Sequence, residues 1–389
     1  MSIFDKEYNR YNTNSLKYDF AQARKRPKDI LPLWVADMDF PAPKEVLDVL
    51  VEKSKYGIFG YSEPTDEYFD AIHNWFLKRH NWDADPNKFL LAFGVIFAIG
   101  AAIRALTEEK DSVLICQPVY YPFEKIILDN NRKLVISNLQ YKNDLYQFDF
   151  KDFEEKIIEN DVKVFILCSP HNPVGRVWKV SELQKIDEIC QKHNVFIISD
   201  EIHADFTFEG YTHNVFAKIT KNENNYIVCT APTKTFNLAG LHNSNIYVPS
   251  NSIRNKMIQE FNRVGFSQSN LMGIIACQSA YNYGEGWYLE LKEYLKKNLD
   301  FVREYLKKNL PQIKLIEPQG TYLVWLDFRA LNMTNKELSN LLIHKANVWL
   351  DDGYIFGNSG SGFERINIAC HINTLKKALD SIYQAINNR

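Results

Sequence analysis

From about residue 88 to residue 250 the chain alternates short apolar runs with longer amphipathic stretches. "KFLLAF" leads into "VIFAIGAAIRALT", which reads as a helix, and "DSVLICQP", "KVFILCSP", "VFIISDE" and "NYIVCTAP" follow as strand-like runs. Segments with helical spacing lie among them, such as "SELQKIDEICQKHN" from Ser181 to Asn194. Strands that are apolar throughout, alternating with helices, predict a mostly parallel α/β sheet covered on both faces. From about residue 286 the pattern changes. A charged helix, "YLELKEYLKKNLDFVREYLKKNL", leads to the strands "TYLVWLDF" and "RINIAC" and a last helix, which predicts a smaller α+β unit. The first 45 or so residues are loop-like, with "LPLWVADMDFPAP" as a short strand and turn.

Composition narrows the class. The chain has 389 residues, 46% of them hydrophobic, enough for about two domains on a prior of ~150 residues each. A formal net charge of −2 gives no reason to expect nucleic acid or an anionic membrane as a partner. The opening "MSIFDKEYNR" has no apolar h-region. The strongly apolar run Phe89 to Ile103 is shorter than the ~20 residues of a spanning helix, and Gly94 splits it. Six scattered cysteines without a CxxC read as free thiols in a reducing compartment, so the cytoplasm is the expected location. The nine histidines show no zinc spacing, and no metal is expected.

In open parallel sheets, ligands collect beyond the carboxyl ends of the strands. Gly94, Val95 and Ile96 follow the first of these strands, Tyr120 the second, Asn172 the third, Asp200 and His203 the fourth, and Lys234 the fifth. Lys234 stands among small, hydroxyl and apolar residues, with no carboxylate in the ten residues after it. A lysine in a weakly polar pocket has a lowered pKa and can form a Schiff base with an aldehyde; the ordinary alternative is a lysine that reaches water or pairs with a distant acid. Asp200 closes an apolar strand, where a carboxylate is costly unless paired. A cationic pyridine nitrogen would pair with it, and a helix N-cap is the alternative. Gly94 ahead of a helix suits a phosphate or a plain turn, Asn172 sits in a proline-bounded turn, and Tyr120 can stack on a flat ring or fill the core. Taken in order, these are the parts of a pyridoxal 5'-phosphate site.

The stretches "NTNSLKYD", "LPLWVADMDFPAP", "FGYSEP", "PVYYPF", "SPHNPVGRVW", "SDEIHADF", "TKTFNLAGLHNS", "GTYLVWLDFR" and "GNSGSGFERINIAC" span residues 12 to 370. On these the chain resembles the fold-type I pyridoxal 5'-phosphate enzymes of the class I/II aminotransferase superfamily, most closely the cystathionine β-lyase (C–S lyase) branch. The resemblance implies an α/β fold with a mostly parallel seven-stranded sheet and a smaller α+β domain. It implies an N-terminal segment, 1–50, that joins the small domain, a cofactor-binding domain, 51–285, and a C-terminal small domain, 286–389. Lys234 would carry the cofactor and move protons, and Asp200 would pair with the ring nitrogen. Asn172 and His203 would lie near the phenolic oxygen, and Tyr120 would stack on the ring. The backbone of Val95 and Ile96 and the hydroxyl of Thr233 would hold the phosphate. Arg365 would bind the substrate carboxylate, with Ala36 also beside the substrate. Tyr61 would reach the phosphate of the other subunit of a homodimer.

Three positions depart from that pattern. Phe97 stands where a proline is common, Ala231 where many relatives place a phosphate-binding serine, and His242 where aminotransferases carry a phosphate-binding arginine. "ACH", Ala369 to His371, replaces the more usual "ACP". The motifs favour β-elimination on cysteine S-conjugates such as L-cystathionine, giving a thiol, pyruvate and ammonia. Transamination of aromatic or aliphatic amino acids on the same scaffold is the first alternative. A cofactor-binding protein that acts through regulatory protein contacts is the second.

Overall fold

The computed structural model describes residues 2–388. Its main sheet has seven strands: β1 Phe89–Ala92, β2 Ser112–Gln117, β3 Lys133–Asn138, β4 Val162–Cys168, β5 Phe196–Asp200, β6 Tyr226–Thr230 and β7 Ser244–Tyr247. They lie in the order β1-β7-β6-β5-β4-β2-β3. Only β7 runs against its neighbours. The reason is local. After β6 the chain makes one helical turn, Pro232–Thr235, and a short 3-10 turn, Ala239–Leu241, then re-enters the sheet beside β6. A parallel return would need a crossover of a dozen or more residues, usually helical.

The order reverses on either side of β2, which makes a crevice at the carboxyl edge. One face of the sheet is covered by the helix Val95–Leu106, whose Ala98, Ile99, Ala102 and Ile103 are fully buried with Met257 of the helix Asn251–Arg263. A second, antiparallel sheet follows: β8 Lys314–Ile316, β9 Leu323–Asp327, β10 Asp351–Asp352 and β11 Phe363–Asn367, in the order β8-β9-β11-β10. The expected junction at residue 50 falls inside the helix Lys44–Tyr56, and that at 285 on the first residue of the helix Glu285–Asn309.

Two main-sheet strands carry no clear signal in the hydropathy pattern. β3 is a half-exposed edge strand. β7 buries Ser244 and Asn245, whose side chains are satisfied by the Ala92 carbonyl and the Tyr68 hydroxyl. Among the described residues no helix is long and apolar enough to cross a membrane, and no cluster of side chains could hold a metal ion.

The N-terminal segment is loop-like, yet it is held firmly. Leu31–Pro32 pairs in parallel with Val348–Trp349. The next residues cross from the small sheet to the turn that carries Lys234. Asn367 donates to the carbonyls of Val35 and Asp37, both at 2.6 Å. Asn237 donates to those of Met38 and Phe40 at 3.0 and 2.8 Å. Behind this strap lies an ion cluster: Asp39 accepts from Lys17 at 2.9 Å, Arg10 at 2.8 Å and the Tyr18 hydroxyl at 2.7 Å. Lys17 is 0% exposed. Burial works against the Asp39 carboxylate, but Lys17 and Arg10 hold it below its usual range. Its contribution is therefore complete at neutral pH and is lost only as the pH falls through its depressed value. Asp39→Ala leaves the buried Lys17 ammonium with only Asp37 Oδ1, 3.7 Å away, and is expected to cost ~3 kcal/mol, measured by urea denaturation at pH 7.

Candidate active site

A cleft of about 140 Å³ opens at the carboxyl edge of the main sheet. It gathers side chains from five strand ends: Val95 and Ile96 after β1, Tyr120 after β2, Asn172 after β4, Asp200 and His203 at the end of β5, and Thr233 and Lys234 after β6. Ala36 of the strap forms part of its wall. The expected residues of the cleft thus meet in one place although the sequence spreads them over some two hundred positions.

Each is positioned by its element. Lys234 rides on the turn after β6, and that turn is anchored from behind. Thr235 Oγ1 donates to Asp205 at 2.6 Å, and Asp205 also accepts from Trp75 Nε1 at 3.1 Å and lies 2.9 Å from His80 Nε2. Lys234 Nζ donates to the Ala36 carbonyl at 2.9 Å, and the Tyr322 hydroxyl donates to the same oxygen at 2.9 Å. Burial pushes the Lys234 amine down to about 8; Asp37 and Asp200 oppose this and Arg365 adds to it. Asp200 is no helix cap. Its Oδ1 accepts from the Ile202 N–H at 3.2 Å, in a turn. Burial pushes its carboxyl up to about 7, against the Ile202 N–H and the charge of Lys234.

His203 is buried, and its Nδ1 has no partner. Burial, helped by Lys234 and Arg365, holds its imidazole well below the usual range, so the ring is neutral. Gly94 precedes the helix Val95–Leu106 at φ 102°, a conformation that favours glycine, and with Val95 and Ile96 of the helix's first turn it lines the cleft. His242 lies on the same wall, its ring stacked on Phe93 at 4.4 Å and 5°. Phe97 is absorbed on the far side of the helix against Phe261 and Phe266, 5.3 and 5.2 Å away. Ala231 is buried and offers no hydroxyl.

Two expected residues stand elsewhere. Arg365 does not line the cleft; it lies behind Asn172, whose Oδ1 accepts from Arg365 Nη1 at 3.0 Å. It is 2% exposed, which excludes a surface ion pair. Tyr61 is 98% exposed and borders a separate hollow with Phe59, Phe93 and Asn270. Tyr322, Cys168 and Asp351 escaped the sequence reading. The first two border the cleft or its strap, and Asp351 pairs with Arg365. A possible signal for Asp351 was the pair of acids, "DD", closing the apolar run "VWL".

The sequence profile of "Aminotransferase class I and II" matches residues 28–382. The chain is 38% identical to cystathionine β-lyase PatB of Bacillus subtilis, over 98% of this chain and 99% of PatB. It is 31% identical to MalY of Escherichia coli, over 99% of both. The crystal structure of cystalysin from Treponema denticola, which contains pyridoxal 5'-phosphate, superposes with a TM-score of 0.95 at 37% identity, covering 99% of this chain and 98% of cystalysin.

The residues present fit that cofactor. An apolar cavity of ~150 Å³ holds a benzene-sized ring, and this cleft is of that size. Asp200 is a buried carboxylate with no cation in contact, and a protonated ring nitrogen would supply one. Lys234 is a lysine already poised to lose its proton. In cofactor-free protein, pyridoxal phosphate followed by borohydride is expected to label the peptide that holds Lys234. The rate should climb as the pH passes through about 8, where half of this amine is neutral. An ordinary lysine, with a pKa of ~10.4, is under ~1% neutral there. Peptide mapping that finds the label on another lysine would contradict the assignment.

Proposed function

The chain belongs to the aminotransferase class I and II family, and we propose that it is a pyridoxal-phosphate-dependent carbon–sulfur lyase that converts S-substituted cysteines, such as L-cystathionine, into a thiol, pyruvate and ammonia. The observation that carries the reading is the meeting of the Lys234 amine and the Asp200 carboxylate in one ring-sized cleft. Whole-length similarity to a cystathionine β-lyase directs the reaction class.

When bound, pyridoxal phosphate supplies an electron sink for negative charge that develops at the substrate Cα. Asp200 would hold the proton of the ring nitrogen. Asn172 and the neutral His203 would lie at the phenolic oxygen, and Tyr120 would cover a ring face. The Val95 and Ile96 N–H groups and the Thr233 hydroxyl would bind the phosphate at the positive end of their helix. Lys234 anchors the cofactor and then, released as an amine, takes the Cα proton. Its lowered pKa, about 8, keeps a neutral base available near physiological pH. Lys234 Nζ can pass that proton to the sulfur as the C–S bond breaks, and one water completes the conversion to pyruvate and ammonia.

Arg365 would bind the substrate carboxylate. Among the described residues the cleft lining holds no arginine, and Arg365 behind Asn172 is the one guanidinium in contact with that lining, so a second carboxylate on the substrate finds no two-pronged partner. This counts against transamination of dicarboxylic acids. The six buried, unpaired cysteines support a reducing, cytoplasmic location.

The working unit we propose is a homodimer. Tyr56, Ile58, Phe59 and Tyr61 are 65%, 60%, 61% and 98% exposed in one short segment, an apolar patch that a monomer would leave in water. The patch adjoins Phe93, which stacks on His242 at the cleft wall. A two-fold pair would bring Tyr61 of each subunit to the other's phosphate end.

With L-cystathionine and no keto acid, sustained and stoichiometric release of pyruvate, ammonia and thiol is expected. A single turnover that resumes only when 2-oxoglutarate or pyruvate is added would make the enzyme an aminotransferase. For the dimer, mixing inactive Lys234→Ala chains with impaired Tyr61→Phe chains should restore activity in the heterodimers. Full activity in a protein shown by light scattering to be monomeric would exclude shared sites.

A further inference from the structure

Arg365 is not free to do what is asked of it. Its Nη2 carries two hydrogens, and both are engaged: one by the Trp34 carbonyl at 2.8 Å, the other by Asp351 Oδ2. Nη1 donates to Asn172 Oδ1 at 3.0 Å, and Nε is buried without a partner. A guanidinium grips a carboxylate by two parallel N–H bonds, through Nη1 with Nη2 or through Nε with Nη2. Both arrangements require Nη2.

Asp351 is built into this position. It faces Arg365 across the β10–β11 ladder, residue against residue, and is 4% exposed. Among the described residues Arg365 is its only hydrogen-bonded or ion-paired side-chain partner. We infer that Asp351 is an internal stand-in for the substrate carboxylate: it occupies the Arg365 fork in the free enzyme, and substrate must displace it to be held by two prongs. Asp351 thereby becomes a specificity-determining residue, because a ligand that cannot displace it cannot use Arg365. The inference rests on the reading of Arg365 given above.

Displacement is chemically feasible. Burial pushes the Asp351 carboxyl up to about 6, Arg365 pulls it down, and the neighbouring Asp352 pushes it up. Glu364 on β11 and the phenols of Tyr120 and Tyr121 feel its charge as well, and none of these is a cation. Once the guanidinium moves to a substrate, the only downward pull is gone, and the carboxyl takes up a proton rather than staying charged and buried. The other candidate to let go, the Trp34 carbonyl, belongs to the strap and among the described residues accepts from no other donor.

The test uses the cofactor-loaded enzyme, an S-substituted cysteine as substrate and propanoate, a bare carboxylate, as competitive inhibitor. Asp351→Asn keeps an oxygen acceptor but removes the competing charge. The inhibition constant of propanoate and the KM are expected to fall at least ~5-fold, by more than any change in kcat, since hydrogen bonds between charged groups are the stronger kind. Unchanged or weaker binding of propanoate would overturn the proposal and leave Asp351 as a residue that merely positions Arg365. Should the asparagine variant fail to fold, Asp351→Ser, which admits a water, carries the same expectation. Arg365→Lys separates the two levels. If propanoate inhibits that variant as well as it does the wild type, the carboxylate is not bound at Arg365 and both readings fall. If inhibition is lost there while Asp351→Asn behaves as wild type, the stand-in alone falls.

Discussion

Burying the Asp200 carboxylate at the end of β5 is the constraint around which the cleft is organised. The fold supplies it with one backbone N–H and the distant charge of Lys234, and its carboxyl rises to about 7. Lys234, half-buried in the same wall, drops to about 8. Each charge is too poorly solvated to be comfortable, and neither touches the other. A site in this condition favours a guest that brings a cationic ring nitrogen to the acid and an aldehyde to the amine. The parallel strand ends, the Asp205 anchor behind Thr235 and the strap over Lys234 all serve to keep these two groups in place and dry.

The same logic governs Arg365. The small sheet buries its guanidinium and supplies it with Asp351, the Trp34 carbonyl and Asn172. Removing the acid leaves a charge unpaired and removing the arginine leaves another; Arg365 itself ties the small sheet to the cleft wall through Asn172 and to the strap through the Trp34 carbonyl. Specificity at that end is a competition between two carboxylates for one fork, and it does not require a preformed empty pocket.

Much of this was legible in the chain. Strands β1, β2, β4, β5 and β6 are near-continuous apolar runs that lead directly into the residues of the cleft, so both the sheet and its functional edge could be read together. β7 could not be, because its buried Ser244 and Asn245 are polar and are satisfied by partners distant in the chain, on β1 and on the helices Asp66–His80 and Leu271–Tyr283. The helix Lys44–Tyr56 fully buries only Val46, so no broad apolar face marks it in the chain. Residues of the cleft were found because strand ends converge by topology. The partner of Arg365 was not, since Asp351 meets it through strand register, which no spacing along the chain reports. Tyr61 does not line the cleft of its own chain and stands exposed beside a separate hollow.

The strap from Trp34 to Phe40 is held by its backbone more than by its side chains. Arg365 takes the carbonyl of Trp34, Asn367 those of Val35 and Asp37, Lys234 and Tyr322 that of Ala36, and Asn237 those of Met38 and Phe40. Three of these partners belong to the small sheet or its approach and two to the turn after β6. The segment therefore works as a ruler graduated in peptide units. Exchanging a side chain along it leaves the graduation intact, whereas adding or removing one residue would shift every carbonyl past its donor and bring the two sheets out of step.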